Sequence, residues 1–114
     1  MGKAPSALRS QEKALEVAKR VAGRAAKLCE GRGFKLVGAY LVGSRARGDY
    51  LETSDVDLVL VVEGVEGLNA LQRLELFKEV LEPEVDLLVL SPEEWREGRS
   101  AWVETLKKEA VPLV

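Results

Sequence analysis

"GSRARGDYLETSDVDLVLVV", residues 43–62, joins two kinds of sequence. Its first half is polar, with glycine at 43 and 48. From Val56 to Val62 every residue is β-branched or leucine except Asp57. A run that is apolar on both alternating faces must be covered on both, so it reads as the central strand of a sheet. Asp55 and Asp57 stand at its head, where a carboxylate is costly unless a cation, a metal or several donors meet it. Side chains two apart on a strand share a face, which sets these two about 6.6 Å apart along it and lets them converge on one ion or pair of ions. A capping or turn role before the strand would account for Asp55 but not for Asp57, one step inside the apolar run.

On the N-terminal side, Ala14, Leu15, Ala18, Val21, Ala22, Ala25, Leu28 and Cys29 recur at helical spacing, predicting an amphipathic helix from Gln11 to Glu30 that Gly31 and Gly33 end. "KLVGAYLV", Lys35 to Val42, reads as a strand closing at Gly43, and Ser44 to Ser54 as a loop with room for a short helical turn. On the C-terminal side, Gly64 and Gly67 break the central strand. Leu68, Leu71, Leu74, Phe77 and Leu81 then mark a helix over 68–81 that stops before Pro83. "EVDLLVL", Glu84 to Leu90, is a third strand with an acid, Asp86, near its start. Ser91-Pro92-Glu93-Glu94 has the form of a capped helix start, and Trp95, Trp102, Thr105 and Leu106 carry an apolar face past Gly98 until Pro112, giving a helix over 92–110. The expected architecture is one α+β (mixed α/β) domain spanning 1–114, a three-stranded mixed sheet flanked by those helices.

Composition narrows the chemistry. With no histidine and only Cys29, a chain of 114 residues has no Ser-His or Cys-His nucleophile, no intramolecular disulfide and no cysteine-cage zinc site. What remains is carboxylates, lysines, arginines and hydroxyls, a set that suits hard dications such as magnesium or manganese. Charge is lopsided: residues 1–48 hold 11 Lys/Arg against 3 Glu, residues 49–114 hold 6 against 16 Asp/Glu. No apolar run approaches the ~20 residues of a bilayer span and the N-terminus lacks a signal-peptide core, so a cytoplasmic protein is expected. The basic half would suit nucleic acid, but the interleaved aromatics and strongly basic balance of a nucleic-acid binder are missing, and that partner is not favoured.

The strand before the loop ends in Gly43-Ser44, where a glycine lets backbone N–H groups approach a phosphate and the serine adds a donor. Gly43-Ser44, ten residues, then Asp55-Val56-Asp57 resembles the GSx10DxD signature of the polymerase-beta-type nucleotidyltransferase superfamily. The wider "LVGSRARGDYLETSDVDLVL" is similar to the minimal nucleotidyltransferases, which consist of the catalytic head alone. The resemblance covers residues 11 to 90 and implies the nucleotidyltransferase fold. It implies two divalent ions held by Asp55, Asp57 and Asp86, and an NTP, expected to be ATP, bound at Gly43 and Ser44, with Arg45 and Arg47 as candidates to neutralise its phosphates. It further implies transfer of a nucleoside monophosphate to a hydroxyl, and an antitoxin role beside a helical HEPN-type partner, some relatives attaching AMP to that partner's tyrosine. A homo-oligomer is the other expected assembly, and a nucleotide-binding module that masks a partner without catalysis is the alternative function. Trp95 and Trp102 read as helix packing ahead of a base-stacking platform; an exposed one would mark a partner surface.

Overall fold

A computed structural model describes residues 4–98 and 100–113. Helix α1 (Pro5–Arg32) begins on a proline, whose missing N–H costs nothing in a first turn, and ends where Gly33 turns left-handed at φ 78°. Its buried stripe is Ala14, Ala18, Val21, Ala22, Ala25 and Cys29. Such small side chains let the helix lie close against a sheet.

That sheet contains β1 (Lys35–Val42), β2 (Val56–Glu63), β3 (Val85–Leu90) and β4 (Val111–Pro112) in the order β3-β2-β1-β4. β2 lies between β1, to which it is antiparallel, and β3, to which it is parallel, so the all-apolar run is the central strand. Its residues divide by face. Leu58, Leu60 and Val62 join the core under α1, whereas Val59 and Val61 join a second cluster with Val42, Leu90, Val103 and Leu106. The even-spaced partners Asp57 and Asp86 therefore stand on the second face, at its open end.

Four differences from the sequence expectation have physical causes. The sheet has four strands, because the chain after the last helix returns to pair Val111 with Leu41 and Pro112 with Tyr40. A proline is tolerated there because β4 is an edge. The helix expected over 92–110 is two, α4 (Pro92–Glu97) and α5 (Ala101–Glu109), broken where Gly98 adopts φ 57°, ψ 54°. The first helix is longer than 11–30 at both ends. The helix expected over 68–81 is α3 (Ala70–Leu76), opened by an Asn69–Gln72 capping box, followed by a 3₁₀ turn (Lys78–Val80).

In α3 the leucine periodicity overstates burial: Leu71 is 68% exposed while Arg73 is buried. Arg73 donates to the Leu68 and Val89 carbonyls and pairs with Glu94 at 2.6 Å, so its charge is met on every side. Glu94 also accepts the Ser91 N–H at 2.7 Å in the capping box that the sequence announced, and its carboxyl is held below the usual range by these donors against the opposing effect of burial. Among the described residues no helix is long and apolar enough to cross a membrane.

Candidate active site

Gly43 leaves β1 at φ 77°, ψ −158°, a conformation that L side chains rarely adopt. A Cβ there would collide with the Asp57 carboxylate. The glycine is thus needed twice, for its backbone and for the close approach of the turn to the acid. Ser44 begins a four-residue helix, α2 (Ser44–Arg47), whose Ala46 and Arg47 N–H groups donate to the Gly43 carbonyl. Gly48, left-handed at φ 92°, closes it.

Register places the acids. Val42 pairs with Asp57 across β1 and β2, and Asp57 with Asp86 across β2 and β3. Parallel partners at one level point to the same side, so Asp86 shares the face of Asp57, as expected for a shared site. The two residues are register partners on neighbouring strands, and the Asp86 carboxyl lies near enough to act on that of Asp57. Burial pushes the Asp57 carboxyl above its ordinary value, and the nearby charges of Asp86 and Asp55 and a hydrogen bond with Asp86 push it further; Arg47 opposes them. Asp55 is exposed and sits one residue before β2, close enough to act on Asp57 but outside the cavity lining. Among the described residues no three carboxylates stand ready as a metal cage. The convergence of three acids reduces to a close pair, Asp57 and Asp86, with Asp55 beside it. A close pair of acids, made only of hard oxygen donors, fits a dication.

These groups open into a cavity of about 720 Å³ between the carboxylate end of the sheet and α5. Gly43, Ser44 and Arg47 line one side, Asp57 and Asp86 the floor, and Trp102, Thr105, Leu106 and Glu109 of α5 the other wall.

The two arginines part company. Arg47 faces the cavity, half-exposed, with Nη1 2.7 Å from Glu109 and Nε 3.3 Å from Asp49; these partners raise its pKa further. Arg45 is buried and turned away: it donates to the Ser54 and Glu52 carbonyls, to Gln11 Oε1 and to Ser10 Oγ, and lies over the Tyr50 ring. It ties the loop to α1, and these side-chain donors point away from the Gly43-Ser44 turn, so it does not stand beside Arg47 at the cavity. Arg45→Ala should lower stability by about 1–3 kcal/mol, since it removes a buried guanidinium whose part-buried hydrogen bonds join Ser54 and Glu52 to α1. Thermal denaturation with and without NTP checks it: the melting temperature falls while the ligand-induced rise survives.

Sequence reasoning missed Glu109. Its side chain is only 10% exposed, it accepts the Gly43 N–H at 3.2 Å, and it pairs with Arg47. Nothing local marks it, because it lies 66 residues from Gly43 and follows two lysines on what reads as a solvated helix end. The tryptophans also differ. Trp95 stacks on Tyr40, ring centroids 5.0 Å apart, whereas Trp102 is 59% exposed on the cavity wall.

The family model described as "Nucleotidyltransferase domain" matches residues 26–109, from the end of α1 through Glu109. Among solved structures, the chain is similar to a "putative nucleotidyltransferase" from Sulfolobus solfataricus, with 33% identity and a TM-score of 0.77 over 98% of this chain and 89% of that one. No curated protein matches it. A glycine-serine turn pressed against paired strand carboxylates lies inside the matched region, and the chain belongs to the nucleotidyltransferase-domain family.

Proposed function

We propose that this protein is a metal-dependent, polymerase-beta-like transferase that moves a nucleoside monophosphate from an NTP, ATP being the expected one, to a hydroxyl acceptor. The observation that carries the reading is the contact of Gly43 with Asp57, which sets phosphate-binding backbone directly against the carboxylates. The acceptor oxygen forms a bond to the α-phosphorus, the α–β phosphoanhydride bond breaks, and pyrophosphate leaves. Asp57 and Asp86, with Asp55 beside them, would hold magnesium or manganese, two ions by likeness to the superfamily. When bound, these ions offset phosphate charge and acidify the acceptor hydroxyl.

The chain's own groups position and neutralise. Ser44 and the Gly43 N–H face the β- and γ-phosphates, and Arg47 adds a cation there. Glu109 now holds both the Gly43 N–H and Arg47, so an incoming triphosphate takes over donors that an internal carboxylate occupies. Asp86, the exposed member of the pair, lies on the side open to an acceptor.

We further propose that the acceptor belongs to another macromolecule, a helical HEPN-type protein whose modification or masking gives this chain an antitoxin role in the cytoplasm. Its support is the sequence resemblance together with the open, solvent-facing Asp86 side. The test is co-expression with the helical protein encoded next to it, then incubation with each NTP and magnesium, and intact-mass measurement. Gain of one nucleotide by the partner, absent with Asp55→Ala, is the expected result. A tight complex whose masses never change would instead identify a non-catalytic masking module, and self-association alone would identify a homo-oligomer.

A further inference from the structure

We propose that Trp102 is the platform on which the nucleobase of the NTP stacks, with the cavity-facing side of α5 setting the distance from base to phosphates. This rests on the transferase reading above and adds a base subsite to it.

Trp102, Thr105, Leu106 and Glu109 fall at i, i+3, i+4 and i+7, so one face of α5 forms the wall. Its C-terminal end lies at the Gly43-Ser44 turn, where Glu109 meets the Gly43 N–H in the ligand-free protein. Seven residues of helix then carry the wall about 10 Å to Trp102. That is the reach of a ribose and an α-phosphate, and the carboxylate pair lines the same cavity. A nucleotide laid along α5 with its β- and γ-phosphates at Gly43-Ser44 brings its α-phosphorus to Asp57 and Asp86 and its base to the indole.

The ring is available for this. Trp95 is covered by Tyr40, whereas among the described residues no aromatic ring stacks on Trp102, and Leu87 and Leu88 of β3 line the cavity with it. Solvent exposure of so large an apolar surface is unfavourable, and a base would cover it. The neighbouring hydroxyl of Thr105 donates to its own helix, to the Ala101 carbonyl at 3.0 Å. The wall therefore offers a stacking face rather than donors aimed at base edges, so it favours the larger purine ring over a pyrimidine and separates adenine from guanine poorly.

Binding measurements with magnesium and three probes, ATP, CTP and inorganic tripolyphosphate, test this on the full chain. In wild type, ATP should bind more tightly than CTP and tripolyphosphate. Trp102→Leu should weaken ATP about 10-fold or more, the loss expected for one base–aromatic stack, and leave tripolyphosphate unchanged. Trp102→Phe should restore most of the affinity. Because the side chain is exposed, the leucine variant should keep the wild-type circular dichroism spectrum. Equal loss of ATP and tripolyphosphate would assign the indole to wall structure. No loss of either, with weaker capture of the helical partner, would make it a partner anchor; both results overturn the proposal. If wild type binds tripolyphosphate but gains nothing from the base, the subsite fails while the transferase reading stands. If no probe binds with magnesium, the transferase reading falls and the subsite with it.

Discussion

Asp57→Asn is expected to abolish magnesium-dependent NTP binding and nucleotide transfer while making the ligand-free protein more stable than wild type at neutral pH. The two effects share one cause. Asp57 is partly withdrawn from water and faces Asp86 and Asp55, so its carboxyl titrates above its ordinary range. An acid whose folded-state pKa lies above its unfolded value contributes stability at pH values below the unfolded pKa, and that contribution is lost as pH rises through the folded one. At neutral pH wild type therefore carries an unfavourable ionised carboxylate, which the neutral asparagine removes. The melting temperature of the ligand-free variant should exceed that of wild type at pH 7, and the gap should close as pH falls into the carboxylate range. Magnesium should reverse the order. It is expected to bind the folded wild type and raise its melting temperature by linkage, and to lack its central ligand in the variant. Losing that ligand removes several kcal/mol of transition-state stabilisation, a fall in transfer rate of roughly a thousand-fold or more. Melting curves at two pH values, with and without magnesium, read all of this without an assay. A variant less stable than wild type in chelator at pH 7 would show that Asp57 is a structural carboxylate.

How much of this was legible in the residue order follows the range of each interaction. β2 declared itself because burial on two faces forces a continuous apolar run, and the same run made Asp57 conspicuous. The α4 start was legible because a capping box is local, Ser91 to Glu94. Gly98 shows the limit: a glycine inside an amphipathic pattern can be tolerated or can turn left-handed, and only the packing of α5 across the sheet decides. β4 had no pattern to find, since two residues ending in a proline carry no strand period. Leu71 is exposed where the period expected it inward, and Arg73 is buried instead, because a buried arginine is acceptable once Glu94, the Val89 carbonyl and the nearby Leu68 carbonyl surround it. The candidate site divides in the same way. Gly43, Ser44, Asp55 and Asp57 lie within fifteen residues and follow from spacing. Arg45 and Arg47 look equivalent in sequence, yet two steps along a single helical turn send one inward to Ser54 and the other to the cavity. Glu109 and Trp102 reach the site only through the crossing of α5.

Gly43→Ala should be the most damaging single-methyl substitution in the loop, and Gly48→Ala supplies its control. Both glycines have positive φ, 77° and 92°, so alanine strains the backbone at each by about 1 kcal/mol or more. They differ in what surrounds them. A Cβ on Gly48 meets nothing within 4 Å, whereas one on Gly43 enters the space of the Asp57 carboxylate, with Cγ 3.1 Å away. Relief requires either that Asp57 leave Asp86 or that the turn withdraw from the sheet, and each separates the backbone donors of the turn from the carboxylates. Gly48→Ala is therefore expected to lower the melting temperature modestly and to retain magnesium-dependent binding of tripolyphosphate. Gly43→Ala is expected to lose that binding by at least about 100-fold, since a displacement near 1 Å in a preorganised charged site costs on this order. The double variant Gly43→Ala/Asp57→Asn isolates the cause. With no carboxylate at position 57 left to displace, the methyl should add no further loss of residual binding beyond Asp57→Asn alone, a non-additivity that marks two residues acting through one contact. Equal effects of the alanines at 43 and 48 would reduce Gly43 to a turn residue and detach the phosphate turn from the carboxylates.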